Sequence, residues 1–498
     1  MTAHQPPAEQ QLAKGTLSTR DAVAISVSVI APGMAMFLNV PGVAGTAGAS
    51  TPLAFLLGGI GCLALAFVVI GFTRRMASAG YAYTYASRSM GPSIGFMAGW
   101  LYAFGFLCFV PMTMAGVAYL FSDLVGLGTG WWFPLFLVGM ALLVVLSIIR
   151  IKVTTRAQLV VAVLTVAAIV LVDVFVTAKG GAHGNSLQPF TFSHTNKGGF
   201  NGVFYGIIFG VTSYIGFETA ADFGEETANP RRSIPVAIIA ATVFAIVLYA
   251  WTTYSLAIGF GVGNGAGFGA DPTGLKTIGS SFVGDWVGTL VEIGAMISAF
   301  FVCVGCATAG TRTLFAMGRE KVLPTWLGRT HPKFKTPANA TLLIAAISVV
   351  LAAVVGFRYG TDIGSDPLAV YYFFATLGTL AVIVVYIGLC VGGAIYFKRT
   401  HPRYNWLVHL LVPIAGVVVF AAALYGSIYP TPPKPLNYTP YITVIWIVIG
   451  LVAIGMLRAT RPESVALIGS ILGEEGGDEA AELDLTGHVG EVGVPPAL

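Results

Sequence analysis

Apolar runs of about 20 residues, the length that crosses a bilayer as a helix, recur along this chain and decide what it can fold into. They lie near 21–41, 51–73, 92–121, 131–150, 157–178, 201–223, 235–259, 283–317, 338–357, 368–397, 406–428 and 440–458. In lipid every backbone polar group must be satisfied within the protein, so such runs are read as helices. The runs near 92–121, 283–317 and 368–397 exceed the span required and predict tilted helices. Of 498 residues, 56% are hydrophobic and 10% charged, against about 25% charged in soluble domains. The expected class is an all-α polytopic membrane protein with twelve transmembrane helices.

Charge placement tests that count. With the N-terminus in the cytoplasm, only Lys179, Lys197, Lys276, Arg358 and Lys434 of the 26 Lys and Arg residues fall outside. The others flank the inner ends of the segments, as the positive-inside rule requires. Both termini are therefore expected in the cytoplasm of a multi-pass cell-membrane protein. Residues 1–20 form a polar cytoplasmic segment with no apolar core after a basic stretch, so no cleavable signal peptide is expected. Residues 462–498 carry Glu474, Glu475, Asp478, Glu479, Glu482, Asp484 and Glu491 among many Gly and Ala, and are expected to be a disordered acidic tail. The Gly-, Pro- and Asn-bearing stretches Gly180–Gly199, Gly261–Ser280 and Tyr429–Pro440 read as ordinary outer connections.

Against this apolar background a few polar residues stand out. Glu218 and Asp222 interrupt the sixth segment and Asp173 lies in the fifth. Carboxylates at membrane depth are costly and point to an interior cavity, although Lys179 just beyond Asp173 also allows a place at the outer interface. Two segments carry helix-breaking sequence. In Ser26–Ala35, Pro32 removes a helix donor and Gly33 relaxes the backbone. In Ser213–Ala220, Gly216 does the latter. A simple kink and a close helix contact are the plain readings of each. Paired in segments one and six, they argue for an inverted repeat of five plus five helices, about 21–178 and 201–397, with two added helices at about 406–458. Broken helices expose N–H groups that attract a carboxylate and C=O groups that attract an ammonium or cation. An amino acid carries both charges.

Other chemistries find less support. Cys303 and Cys306 form a C-x-x-C, but no second Cys or His pair completes a zinc site. With Cys62, Cys108 and Cys390 they read as small residues packing in helices. The seven histidines fall mostly in loops or tails and assemble no catalytic or metal constellation. No cofactor is called for, and the basic residues follow topology rather than a nucleic-acid footprint.

Three stretches together resemble the amino acid–polyamine–organocation (APC) permeases, bacterial amino acid permease type, across roughly Asp21–Arg461. Ser78-Ala79-Gly80-Tyr81-Ala82-Tyr83-Thr84-Tyr85, followed by Gly91-Pro92, is similar to the family's P-x-(A/G)-G-x-x-Y-x-Y…G-P. Gly216-Phe217-Glu218-Thr219-Ala220 through Glu225-Glu226-Thr227-Ala228-Asn229-Pro230-Arg231-Arg232-Ser233-Ile234-Pro235 is similar to its GFE…E-x-x-N-P-x-R-x-I-P. Thr311-Arg312, Phe315-Ala316-Met317-Gly318-Arg319-Glu320 and Leu323-Pro324 are similar to its S-R-x-x-F-A-M-A-R-D-x-x-L-P.

The resemblance implies a LeuT-like fold with helices one and six discontinuous, and a secondary transporter moving amino acids by alternating access. Ile30, Ala31, Pro32, Gly33 and Met34 would cradle the substrate carboxylate. Ser213, Tyr214, Ile215, Gly216 and Phe217 would meet its amino group, with Phe217 or Tyr214 as a gate. The family's G-x-G in helix one is Ala31-Pro32-Gly33-Met34 here, one glycine fewer, which leaves a different substrate open. Glu218 matches the family's helix-six acid and has two readings, a proton-linked switch or a hydrogen bond holding the unwound turn. Asp222 and Asp173 are further candidates for coupling. Aligned from Gln158, the helix-five lysine of some proton-coupled members falls near Thr165, so that proton route is not implied. Ser298 and Thr308 leave a sodium site on helix eight open. Glu225, Glu226, Arg231, Arg232, Arg312 and Arg319 would form inner-side ion pairs that act as a cytoplasmic gate, or set topology alone. Proton-coupled uptake of amino acids leads. A polyamine or organic-cation permease, an exchanger, and a sensor of the same fold remain alternatives, with the protein a monomer or homodimer.

Overall fold

A computed structural model describes residues 18–76, 81–149, 155–223, 227–319, 323–334, 336–360, 366–400, 404–462 and 465. Every element in it is helical. The first stretch holds α1 (Thr19–Ile30), α2 (Pro32–Met34), a π-helical turn Ala35–Asn39, α3 (Val40–Ala47) and α4 (Thr51–Thr73). A capping box starts α1: the Ser18 hydroxyl accepts from the Asp21 N–H at 3.3 Å and Asp21 accepts from the Ser18 N–H at 2.9 Å. Next come α5 (Tyr81–Met90), α6 (Pro92–Leu124), α7 (Trp132–Ile149), α8 (Thr155–Lys179), α9 (Gly199–Tyr214) and α10 (Pro230–Phe260). Two short helices, α11 (Gly265–Ala270) and α12 (Gly274–Phe282), precede α13 (Asp285–Arg319), α14 (Ala338–Tyr359), α15 (Asp366–Thr400), α16 (Val412–Gly426) and α17 (Thr439–Thr460).

Ten of the described helical stretches are long and apolar enough to cross a membrane. The twelve-segment expectation differs from that count at two places. Thr19–Thr73 runs as one helical stretch of 55 residues, about 80 Å of helix against a hydrocarbon layer of about 30 Å. It is interrupted at Ala31 and again at Gly48, where φ is +48° and +55°. The segment near 201–223 is the other: α9 stops at Tyr214 and only a 3-10 turn, Thr219–Phe223, follows. Large apolar side chains such as Val138, Val350 and Val418 are more than half exposed on the outer surface. That surface suits lipid and not water.

Contacts between distant parts of the sequence show how the chain runs between two ends of the bundle. At the end where α1 begins, here the amino end, the Thr19 and Ser233 hydroxyls meet at 2.8 Å and Arg75 donates to Thr400. At the far end Lys179 donates to the Phe282 carbonyl and Asn196 to the carbonyls of Ala44 and Gly265. Helix axes come close where small residues face each other. A Cβ on Gly105 would lie 3.2 Å from the Gly378 carbonyl oxygen, and one on Gly210 the same distance from that of Ala54, which sets α6 on α15 and α9 on α4. The last helix is pinned by aromatic stacking: Trp100 of α6 lies on Trp446 of α17 at 4.6 Å, and its Nε1 donates to the Trp446 carbonyl.

The expectation that Gly261–Ser280 is an ordinary connection is corrected. It folds into α11 and α12, which pack on α3 and α13. Asn264 caps α11 by accepting from the Gly267 N–H, and Asp271 accepts from the N–H and hydroxyl of Thr273 in the turn between them. Phe268, Leu275 and Ile278 are buried and hold the pair down.

Gly426 tests this packing. A Cβ there would fall 2.5 Å from the backbone of Phe204 and Tyr205. Gly426→Val is expected to push α16 off α9 and lower stability by about 1–3 kcal/mol, read as a lower midpoint of thermal unfolding in detergent.

Candidate functional site

The chain breaks its first helix at Ala31, whose backbone is left-handed (φ 48°, ψ 68°). Pro32 begins the next helical turn, where its missing N–H costs nothing, and disfavours α conformation in the residue before it. The sixth segment breaks at Ile215 (φ −53°, ψ 129°) and Gly216 (φ +114°). The two breaks touch. A Cβ on Gly216 would lie 2.6 Å from Val29 Cγ1 and 3.1 Å from the Val29 carbonyl carbon. Gly33 in turn faces Thr165 of α8 and Ala295 of α13, with a Cβ there only 2.6 Å from Thr165 Cγ2. The position that the sequence left without a lysine thus stands against the first break, its hydroxyl donating to the Val161 carbonyl at 2.8 Å.

A broken helix leaves backbone groups without helical partners; two side chains serve them here, and a third ties the neighbouring elements together. The Tyr249 hydroxyl of α10 lies 3.3 Å from the Ile30 carbonyl and 3.2 Å from the Ser213 carbonyl, the ends of the two half-helices. Glu218 is wholly buried; its Oε2 accepts from the Gly216 N–H at 3.0 Å and its Oε1 from the Tyr386 hydroxyl of α15 at 2.5 Å. Asn39 links three elements: it accepts from Tyr371 at 2.7 Å and donates to the Ser213 hydroxyl at 2.8 Å. Ser213 passes the chain on to the Phe209 carbonyl.

Ile30, Ala31, Pro32, Gly33 and Met34 are buried, as are Ser213, Tyr214, Ile215, Gly216 and Phe217. Tyr214 donates to the Phe55 carbonyl at 3.0 Å, and the Phe217 ring packs edge-on to Tyr386. Both rings are thus held inside the protein. Asp173 is buried between α8 and α10, not at an interface, and accepts from the Thr252 hydroxyl at 2.7 Å. Asp222 sits in the 3-10 turn Thr219–Phe223, where residues four apart do not share a face; its side chain lies outside the description. Glu225 and Glu226 fall outside the described residues. Arg231 and Arg232 are exposed in the first turn of α10, Arg312 lies within α13, and Arg319 stacks on Phe315 at 5.6 Å. Cys303 rests against the Val110 carbonyl of α6.

A cavity of about 530 Å³ opens at the far end above the breaks. Among the described residues its walls come from α3, α6, α9, α11, α15 and the loop before α17, with Thr46, Tyr119, Lys197, Asn201, Tyr205 and Tyr372 as polar groups and no Asp or Glu. None of the ten residues at the breaks lines it. Its floor is Phe209 of α9 edge-on to Tyr372 of α15, ring centroids 5.6 Å apart. Gly42 leaves room for that pair, since a Cβ there would lie 2.9 Å from Tyr372.

Beside the cavity the ammonium of Lys276 on α12 lies 2.7 Å from Asp123 of α6 and 2.8 Å from wholly buried Glu292 of α13. Burial works against that charge, but hydrogen bonds to Asp123 and Glu292 and their charges outweigh it and raise the Lys276 pKa above its ordinary 10.5. Sequence reading passed over this triad, although Glu292 inside an apolar run was a visible signal. Asn39, Tyr249, Tyr371 and Tyr386 were also missed. Of these only Asn39, a lone amide in the first segment, stood out from its neighbours.

Residues 17–452 match the family model described as amino acid permease. The chain is similar to the methylthioribose transporter of Bacillus subtilis, 26% identical over 87% of this chain and 91% of that protein. It is similar to the branched-chain amino acid permease of Lactococcus lactis, 28% identical over 73% and 80% of the two chains. It is also similar to the low-affinity putrescine importer of Escherichia coli, 28% identical over 67% and 74%.

Two substitutions probe this geometry. Gly216→Ala forces a side chain into positive φ and onto Val29. It is expected to lower stability by about 1–3 kcal/mol, measured by thermal unfolding, and to reduce uptake in vesicles. Lys276→Met leaves Asp123 and Glu292 without their cation. Breaking a fully buried pair costs about 3–5 kcal/mol. Asp123 and Lys276 are about one-third exposed, so roughly 1–3 kcal/mol is expected after screening, with Lys276→Arg closer to the native protein. While both carboxylates are ionised, the lysine's contribution is fully present up to pH 10.5 and is lost as pH rises through its raised pKa.

Proposed function

We propose, on the premise that the chain belongs to the amino acid permease family, that it is a secondary transporter carrying a neutral amino acid with an apolar side chain by alternating access. The observation that carries this reading is the meeting of two interrupted helices at Gly216 and Val29. There the first turn after Ala31 has no side-chain cap, so its N–H groups suit a carboxylate. The Ile30 and Ser213 carbonyls, which among the described residues share the one Tyr249 hydroxyl, suit an ammonium. Ile30–Met34 and Ser213–Phe217 form the binding place in this reading, and the far-end cavity is its entry.

The polar groups favour an amino acid over a diamine. A diamine needs carboxylates to receive it, while the described lining of the cavity offers Lys197 and no acid. Both oxygens of Glu218 are already engaged. The architecture we infer has twelve crossings of the cell membrane: repeats at about 21–178 and 201–397, extra helices at about 406–458, and both termini in the cytoplasm. Uptake is coupled to a cation, with the proton favoured. Glu218 is the first candidate for the coupling group because protonation would remove an acceptor from the turn at Gly216. Asp173 and Asp222 come next. Arg231, Arg232, Arg312 and Arg319, with Glu225 and Glu226, form the inner gate.

Uptake into proteoliposomes under imposed proton or sodium gradients, with labelled branched-chain amino acids and putrescine, tests this. The native protein is expected to accumulate a branched-chain amino acid against its gradient when the proton gradient is inward. Glu218→Gln is expected to bind that solute and no longer accumulate it. Accumulation of putrescine alone would overturn the substrate reading. Unchanged proton coupling in Glu218→Gln would remove Glu218 from the coupling step. Ligand binding with no accumulation under any gradient would make the protein a sensor.

A further inference from the structure

A second cavity, about 620 Å³, opens on the side of the bundle at the amino end. Its walls are apolar: Phe67, Val68 and Ile70 of α4, Val236 and Ile239 of α10, and Phe397 of α15. Phe67 and Val236 are 44% and 48% exposed, so the groove is open to whatever surrounds the helices. In a membrane protein that is lipid.

The rim of the groove is cationic. Arg74 and Arg75 follow the last turn of α4, and His409 comes from the π-helical turn Leu407–Leu411 ahead of α16. Among the described residues no Asp or Glu lines it. Arg75 is held in place: it donates to the Thr400 hydroxyl at 2.9 Å and its guanidinium lies 5.7 Å from the centre of the Phe397 ring. The Arg74 side chain is exposed and makes no hydrogen bond or ion pair with another described residue. Exposed Lys398 and Arg399, beside Thr400, add to the positive field.

A positive rim over an apolar cleft matches one molecule type in that setting. We propose that this groove binds one anionic phospholipid from the surrounding leaflet, its phosphate on Arg74 and Arg75 and an acyl chain between α4 and α10. Arg presents a planar fork of donors to phosphate oxygens, and basic pockets between membrane helices suit anionic head groups. A zwitterionic phospholipid brings its own cation to the same rim and is disfavoured there. The bound lipid bridges α4 and α10 to the turn carrying His409. This inference needs the protein only to be embedded in a membrane and is independent of what it transports.

The test uses the full chain in nanodiscs of phosphatidylcholine doped with phosphatidylglycerol, with released complexes weighed by native mass spectrometry. The native protein is expected to retain one phosphatidylglycerol in preference to phosphatidylcholine. Arg74→Ala with Arg75→Ala is expected to lower that preference about tenfold, equivalent to 1.4 kcal/mol. Ala240→Trp, which fills the groove from exposed α10 surface and leaves both arginines, is expected to lose the lipid as well. Ala240→Trp alone decides the matter if the arginine variant does not fold. Equal retention of the two lipids by the native protein, or the same retention in the variants, overturns the proposal. So does release of the lipid by inorganic phosphate, which would mark a site for a free anion.

Discussion

A helix that stops inside an apolar bundle strands backbone N–H and C=O groups, and each one left unsatisfied there costs on the order of a few kcal/mol. The centre of this protein is organised around that constraint. One tyrosine hydroxyl on α10 serves the last carbonyls of both half-helices, and one carboxylate with its partner on α15 holds the N–H of the second break. Neither break is held by its own segment alone. Their relative position therefore depends on α10 and α15 staying where they are.

Named contacts tie the helices together at both ends of the bundle. At the far end an ammonium joins α12 to α6 and α13, next to an aromatic floor. At the amino end two hydroxyls meet, those of Thr19 and Ser233, with Ser233 also donating to the Ala228 carbonyl. Hydrogen bonds between neutral groups are worth about 1 kcal/mol, and charged ones roughly twice that. On the proposed reading, a cycle between outward and inward states exchanges a few such interactions, a sum small enough for a bound solute or ion to tip.

Much of the helical layout was legible because apolar length is a strong signal and each run had polar punctuation. The breaks were legible from Pro32-Gly33 and Gly216. The first falls one residue early, at Ala31, because a proline strains the residue before it and not itself. What could not be read was the set of partners. Tyr249, Tyr371 and Tyr386 sit in ordinary apolar runs, and nothing in their local sequence says that they face a break. The fold of α11 and α12 was hidden by the glycines of 261–280, which look like loop until Phe268, Leu275 and Ile278 are seen to be buried. The reading of Gly216 as a helix contact and as a break proved to be one fact, since its missing Cβ does both.

The aromatic floor has a consequence for selection. On the route we infer, Phe209 and Tyr372 stand between the open cavity and the broken helices, and the gap at Gly42 leaves them little slack. A solute on the route we infer meets this constriction before it meets the groups that hold it. Sorting by a constriction acts on barrier height, whereas sorting by a binding place acts on well depth. Two solutes of equal affinity but unequal width would then be carried at different speeds, so the protein would discriminate by traffic as well as by equilibrium.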